Sequence, residues 1–194
     1  PDNGSKKENS LPTTAFRLPL IPLRNIVLFP GVVLPIDVGR PKSLTVVSLA
    51  NKSNEQKVAF VTQTVAETED PGIDDVFSMA VVAEPLRVMK VAENRATLVA
   101  RGLYRAHLYA IEEEDDVVYG LFDRIEDDGQ TDVEAQGLAM AVRDSAKQLI
   151  SVSPEIPDEA TALLDQVRDP GVLADIAAAN LDLPVADKME LLKE

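Results

Sequence analysis

From Phe16 to about Arg124, apolar residues fall in short or alternating runs cut by proline, glycine and charge, the period-two signature of strands. The candidate strands are Leu18–Leu23, Val32–Ile36, Val58–Val65, Val76–Met89, Ala96–Ile111 and Val117–Ile125. Pro19, Pro22, Pro30 and Pro35 each lack an amide donor, so the first strands are expected at sheet edges, strand ends or bulges, which a curled or barrel-like sheet accommodates better than a flat one. Between the second and third strands, Leu44, Val47 and Leu49 follow the break at Gly39-Arg40-Pro41 and predict one short helix over Lys42–Ala50, lying across a barrel mouth.

After Gly129 the apolar period lengthens toward 3.6. Leu138, Ala141, Val142 and Leu149 mark one helix, and Leu163, Leu164 and Val167 after Pro157-Asp158 mark a second. Asp169-Pro170 reads as an N-cap followed by a first-turn proline, and Pro184 opens a last helix with Val185, Met189 and Leu192. The expected architecture is a flexible segment over 1–15, a β domain over 16–125 and a subdomain of four mutually packed helices over 126–194. The first fifteen residues are too polar to offset the entropy of ordering, and the absence of an initial Met suggests a trimmed start. No solenoid-length repeat or long heptad run is present.

Composition narrows the partners. Of 194 residues, 33 are acidic and 19 basic, a formal net charge of -14, so the averaged field repels phosphate backbones and anionic lipid. Neither nucleic acid nor a membrane surface is an expected partner. No cysteine is present, which rules out disulfides, thiolate metal sites and cysteine nucleophiles and accords with a cytoplasmic location. No apolar run approaches the roughly 20 residues that span a bilayer.

Catalytic chemistry is not legible. No glycine-rich loop ends in Gly-Lys-Ser/Thr, so the phosphate cradle of an ATPase is missing. His107 has no second histidine or cysteine partner, and reads as a half-exposed strand residue. Ser145 and Lys147 lie two apart on a helix and point to different faces, unlike a serine–lysine nucleophile and base. The run Glu112–Asp116 reads as a solvated hairpin tip that discourages edge pairing. A calcium loop laid over Asp123–Glu134 would put Ile125 at a ligand position and Asp128 at the required glycine. No catalytic, cofactor or metal residue is assigned.

The segment Leu18-Pro19-Leu20-Ile21-Pro22-Leu23-Arg24-Asn25-Ile26-Val27-Leu28-Phe29-Pro30-Gly31 closely resembles the opening of the N-terminal domain of Lon ATP-dependent proteases. So do Val33-Leu34-Pro35-Ile36, Val38-Gly39-Arg40, Asp70-Pro71, Gly102-Leu103-Tyr104-Arg105 and the helical stretch from Asp169-Pro170-Gly171 through Leu192. The resemblance runs from about residue 16 to the end. Pro41, Ala80 and Arg101 depart from it, standing where the family commonly has Glu, Gly and Glu.

The resemblance implies an α+β fold, a PUA-like β pseudo-barrel followed by an α-helical bundle. It also implies a non-catalytic role, recognising unfolded, damaged or degron-tagged proteins for ATPase and serine–lysine protease modules not represented in this chain. ATP and Mg belong to those modules, and other Lon subunits in a hexamer are implied partners; the fragment alone is expected to be a monomer or weak oligomer. Capturing many unfolded clients requires exposed, adaptable apolar side chains. The candidates are Phe29, Val32 and Val33 around the proline-rich loop, and Phe77, Met79 and Met89 near the barrel edge. The alternative is a structural role in ring assembly and gating with little client affinity; RNA binding through the barrel is opposed by the charge.

Overall fold

The computed structural model describes residues 14–52, 57–126, 133–153 and 159–194; the expectations for the first thirteen residues, for Asp128 and Gly129 and for Pro157-Asp158 lie outside the described residues. Six strands form, β1 (Phe16–Leu23), β2 (Val33–Val38), β3 (Val58–Gln63), β4 (Val76–Ala92), β5 (Arg95–Glu114) and β6 (Val117–Arg124), with helix α1 (Pro41–Lys52) between β2 and β3. Four helices follow: α2 (Val133–Val152), α3 (Glu159–Gln166), α4 (Pro170–Asn180) and α5 (Val185–Lys193). Each expected element is present, with ends moved by a few residues.

The strand order is β2-β5-β4-β3-β1-β6, and β6 also pairs with β5, so five of the strands join in a closed cycle of pairings. Two strands divide their length between partners. Residues 96–101 of β5 pair with β2, and residues 106–114 pair with β6. In β1, residues 16–19 pair with β6 and residues 20–23 with β3. That division explains the prolines: each half of β1 is bonded on one side only, so Pro19 and Pro22 sit at local edges inside the sheet. Pro35 lies in β2, which pairs with β5 alone.

Strand β3 is buried along its whole length, and its alternate side chains serve two apolar clusters. Val58 and Phe60 join Leu28, Phe29, Ile36, Val46, Leu98, Met189 and Leu192 in the larger one. Ala59 and Val61 join Leu20, Val82, Leu108 and Phe122 in the other.

The acidic run ends β5 in a two-residue hairpin. Glu114 faces Val117, and Asp115 and Asp116 both adopt positive φ, 52° and 61°, a conformation Asp tolerates better than most residues. Arg17 Nη2 reaches Glu114 at 2.7 Å and Lys42 Nζ reaches Glu113 at 2.8 Å, so this tip is tied back to the first strand and to α1.

Helix α2 packs differently from its apolar period. Leu138 and Leu149 are 62% and 58% exposed, and the half-buried face is Ala135, Ala139, Arg143, Ala146, Lys147 and Ile150. Small side chains at four-residue spacing bring the backbones together, while Arg143 Nη2 donates to the Val167 carbonyl at 2.7 Å and Lys147 Nζ pairs with Asp165 at 2.6 Å. Helices α4 and α5 bury Leu173, Ala178, Met189 and Leu192, the last three within the larger β core cluster.

Candidate functional site

The loop joining β1 to β2 turns at two residues of positive φ, Asn25 at 56° and Gly31 at 74°. It is clamped against β5 by hydrogen bonds from Gly31 N to the Gly102 carbonyl (2.9 Å) and from Gly102 N to the Val32 carbonyl (3.0 Å). A Cβ on Gly102 would lie 2.2 Å from the Phe29 carbonyl oxygen, so only glycine allows this approach. Three residues later Arg105 grips the helical end: Nη2 and Nη1 meet the two carboxylate oxygens of Asp175 at 2.6 and 3.1 Å, and Nε donates to the Leu192 carbonyl at 2.7 Å. The Gly102–Arg105 segment therefore locks the proline-rich loop on one side and α4–α5 on the other.

This arrangement separates the six candidate contact residues. Phe29 is 0% exposed, a core residue, so in this conformation a bound segment would meet its neighbours rather than its ring. Val32 is half-buried, as are Phe77 and Met79, which pack against the larger core cluster together with Ala179 and Val185. Val33 and Met89 are 50% and 37% exposed. They share one sheet face, because Val33 stands opposite Arg101, Pro35 opposite Val99 and Asp37 opposite Thr97 on β5, which in turn face β4 with Val99 opposite Arg87 and Thr97 opposite Met89.

That outer face of β2–β5–β4 mixes apolar and charged groups. Arg101 Nη2 pairs with Glu84 at 2.6 Å and Thr97 donates to Asp37 at 2.6 Å. Leu86 and Val91 are also exposed on β4, where bulges fall between Pro85 and Arg87 and between Lys90 and Ala92. These neighbours were missed from the sequence because a bulge rotates side chains out of strict alternation.

A second apolar surface lies on the helices. Leu138, Met140, Leu149 and Val152 are exposed on α2. A groove of about 260 Å³ between α2 and α4 is lined by Leu138, Ala139, Val142, Pro170, Leu173 and Ala174. Its signal was in the sequence as the 3.6 period, which alone cannot say whether a stripe is covered.

Electrostatics around α1 serve architecture. Arg40 Nη2 donates to Gln63 Oε1 and, at 3.1 Å, to the Thr68 carbonyl, fixing the 64–72 loop to the start of the helix. Burial, reinforced by Arg24, holds its pKa below the ordinary arginine value. Lys42 is pushed above the ordinary lysine value by its hydrogen bonds to Asp70 and Glu113. Pro41 fits at the first position of the helix, where no amide donor is needed. His107 is half-buried on β5 with its ring edge-on to Tyr109 at 4.7 Å. Among the described residues, no three His, Cys, Asp or Glu side chains converge as a metal site would need, and no helix is long and apolar enough to cross a membrane.

The chain is similar to known proteins in sequence and in fold. Residues 17–194 match the family model of the ATP-dependent protease La (LON) substrate-binding domain. The Lon protease of Anaeromyxobacter dehalogenans is 38% identical over 177 residues, 91% of this chain and 21% of its own length. The Lon protease of Escherichia coli is 30% identical, over 91% of this chain and 22% of its own. The chain thus spans about a fifth of the length of these relatives. The solved N-terminal domain of Mycobacterium avium complex Lon protease shares the fold with a TM-score of 0.76 at 19% identity, over 92% of this chain and 90% of that one. The Lon N-terminal domain protein from Xanthomonas campestris gives 0.59 at 20% identity, with the same coverage. The chain belongs to the Lon substrate-binding domain family.

Proposed function

We propose that this chain captures unfolded, damaged or degron-tagged proteins and, within a longer Lon-type protein, presents them to ATP-driven and serine-protease modules. The observation that carries this reading is the clustering of exposed large apolar side chains on two surfaces, Val33, Leu86, Met89 and Val91 on the sheet and Leu138, Met140, Leu149 and Val152 on α2, in a molecule of net charge -14. Adaptable apolar surface is what unfolded chains present a match for and folded proteins do not. A single copy binds weakly, and several copies on a hexameric ring raise avidity by about 10² to 10⁴ without a new contact. In this account ATP and Mg bind elsewhere in the longer protein, which works in the cytoplasm, and nucleic acid and membranes are not its partners. The closed cycle of strand pairings supports the PUA-like pseudo-barrel as the architecture for residues 16–125, with 126–194 as the helical subdomain.

The test is fluorescence anisotropy of the chain with an unfolded model protein and with its folded form. Saturable binding of the unfolded form alone is expected; equal binding of both, or of neither, rejects the reading. The second reading, assembly and gating of the ring, is favoured by the uncovered apolar stripe of α2, which would then meet a neighbouring subunit.

A further inference from the structure

The β4–β5 hairpin inverts the charge of the molecule around it. Residues 84–101 carry four basic and two acidic side chains, net +2, so the rest of the chain carries -16 of the total of -14. Elsewhere cations are largely tied down: Arg17, Arg24, Lys42, Arg105, Arg124 and Lys147 all form ion pairs. Arg87, Lys90 and Arg95 are exposed and make neither an ion pair nor a side-chain hydrogen bond among the described residues. They stand beside the exposed Leu86, Met89 and Val91. Exposed apolar side chains beside cations that no carboxylate neutralises, on a molecule whose remainder carries -16, select for charge as well as for hydrophobicity.

Resting on the client-capture reading above, we propose that the outer face of the β4–β5 hairpin takes a client peptide segment in which apolar residues are flanked by Asp or Glu. Met89 and Val99 supply the apolar contact, and Arg87, opposite Val99, and Arg95, two residues before Thr97, meet the flanking carboxylates, whereas Lys90, opposite the buried Ala96, stands on the other face. The face rather than the strand edge makes the contact: Pro85 and the bulges at Pro85–Arg87 and Lys90–Ala92 break up the backbone ladder that strand addition would extend. The rest of the molecule, at -16, turns the same acidic segments away from other sites.

The test compares labelled peptides that share one apolar core and differ in flanks of Asp/Glu, Ser or Lys/Arg. Binding to the chain is read by anisotropy at low and high salt, with chemical-shift mapping of the site. The acid-flanked peptide is expected to bind roughly tenfold more tightly than the base-flanked one, a preference that salt erodes and that reverses in the variant Arg87→Glu/Arg95→Glu. Both positions are exposed, so circular dichroism is expected to show an intact fold; if it does not, the salt dependence and shift mapping of the unaltered chain decide. Equal affinity for all flanks, or shifts away from the hairpin, overturns this proposal and leaves client capture standing. No peptide binding at all overturns both. A single-stranded oligonucleotide that binds the hairpin while the peptides fail overturns it in favour of nucleic acid.

Discussion

Replacing Asp175 with Ala tests how the helical end is held to the sheet. Arg105 and Asp175 are 13% and 7% exposed at the side chain and meet bidentately, with Arg105 Nε on the Leu192 carbonyl. At about 4 Å between charge centres and an effective dielectric near 20, their attraction is about 4 kcal/mol, much of it offset by the cost of burying both ions. Removing only the carboxylate leaves the burial cost of Arg105 without its compensation, a loss of about 3–5 kcal/mol. A domain of this size has a total stability of about 5–15 kcal/mol, so the variant forfeits a large share of it. Urea denaturation followed by circular dichroism should show the midpoint falling by about 1–2 M. The paired change Arg105→Met with Asp175→Leu should cost less than either single change, because no charge is then left buried alone. A loss below about 1 kcal/mol for Asp175→Ala, or a double variant weaker than both singles, would refute the claim that this pair docks α4–α5.

Further outcomes follow from single contacts. Gly102→Ala should cost about 3 kcal/mol or more in the same denaturation assay, since the new Cβ meets the Phe29 carbonyl at 2.2 Å and backbone must move. Asp169 caps α4, accepting from Gly171 N at 2.8 Å and Val172 N at 3.1 Å, so Asp169→Ala should cost about 1 kcal/mol. Burial holds the Tyr104 phenol above its ordinary pKa of 10.0, with Arg124, 4.5 Å from the ring, pulling the other way. The folded state therefore prefers the protonated phenol: its contribution is full below the unfolded pKa and is lost as pH rises through the folded one. Unfolding midpoints should fall less between pH 9 and 11 in Tyr104→Phe than in the unaltered chain, where the window follows the ordinary tyrosine value near 10. Leu138→Glu with Leu149→Glu should leave stability within about 0.5 kcal/mol, because both side chains are already exposed; a drop of several kcal/mol would mean the stripe is packed.

How much of this was legible in the sequence depends on the kind of contact. Strand and helix identities followed from period alone, and the prolines of β1 correctly demanded edges. What period could not supply was that β1 and β5 each split between two partners, because that depends on contacts a hundred residues apart, such as Phe16 opposite Phe122. The α2 stripe misled for a related reason: spacing identifies an apolar face without saying whether anything covers it, and here the alanine face with Arg143 and Lys147 packs instead. Of the six candidate contacts, an aromatic in a loop such as Phe29 reads the same in sequence whether it points in or out. Its burial is set by Gly102 and the clamp on β5. The free cations of the hairpin were present as residues, but their lack of partners is a property of the fold.

The most direct measurement of the central claim is a nuclear magnetic resonance titration of the chain with an unfolded model protein, repeated with the variant Val33→Asp/Met89→Asp. Shifts clustered on the β2–β5–β4 face and on α2, with binding weakened at least severalfold in the variant while the fold is retained, are the result this account predicts. Binding of undiminished strength in the variant, with shifts on neither surface, would contradict it.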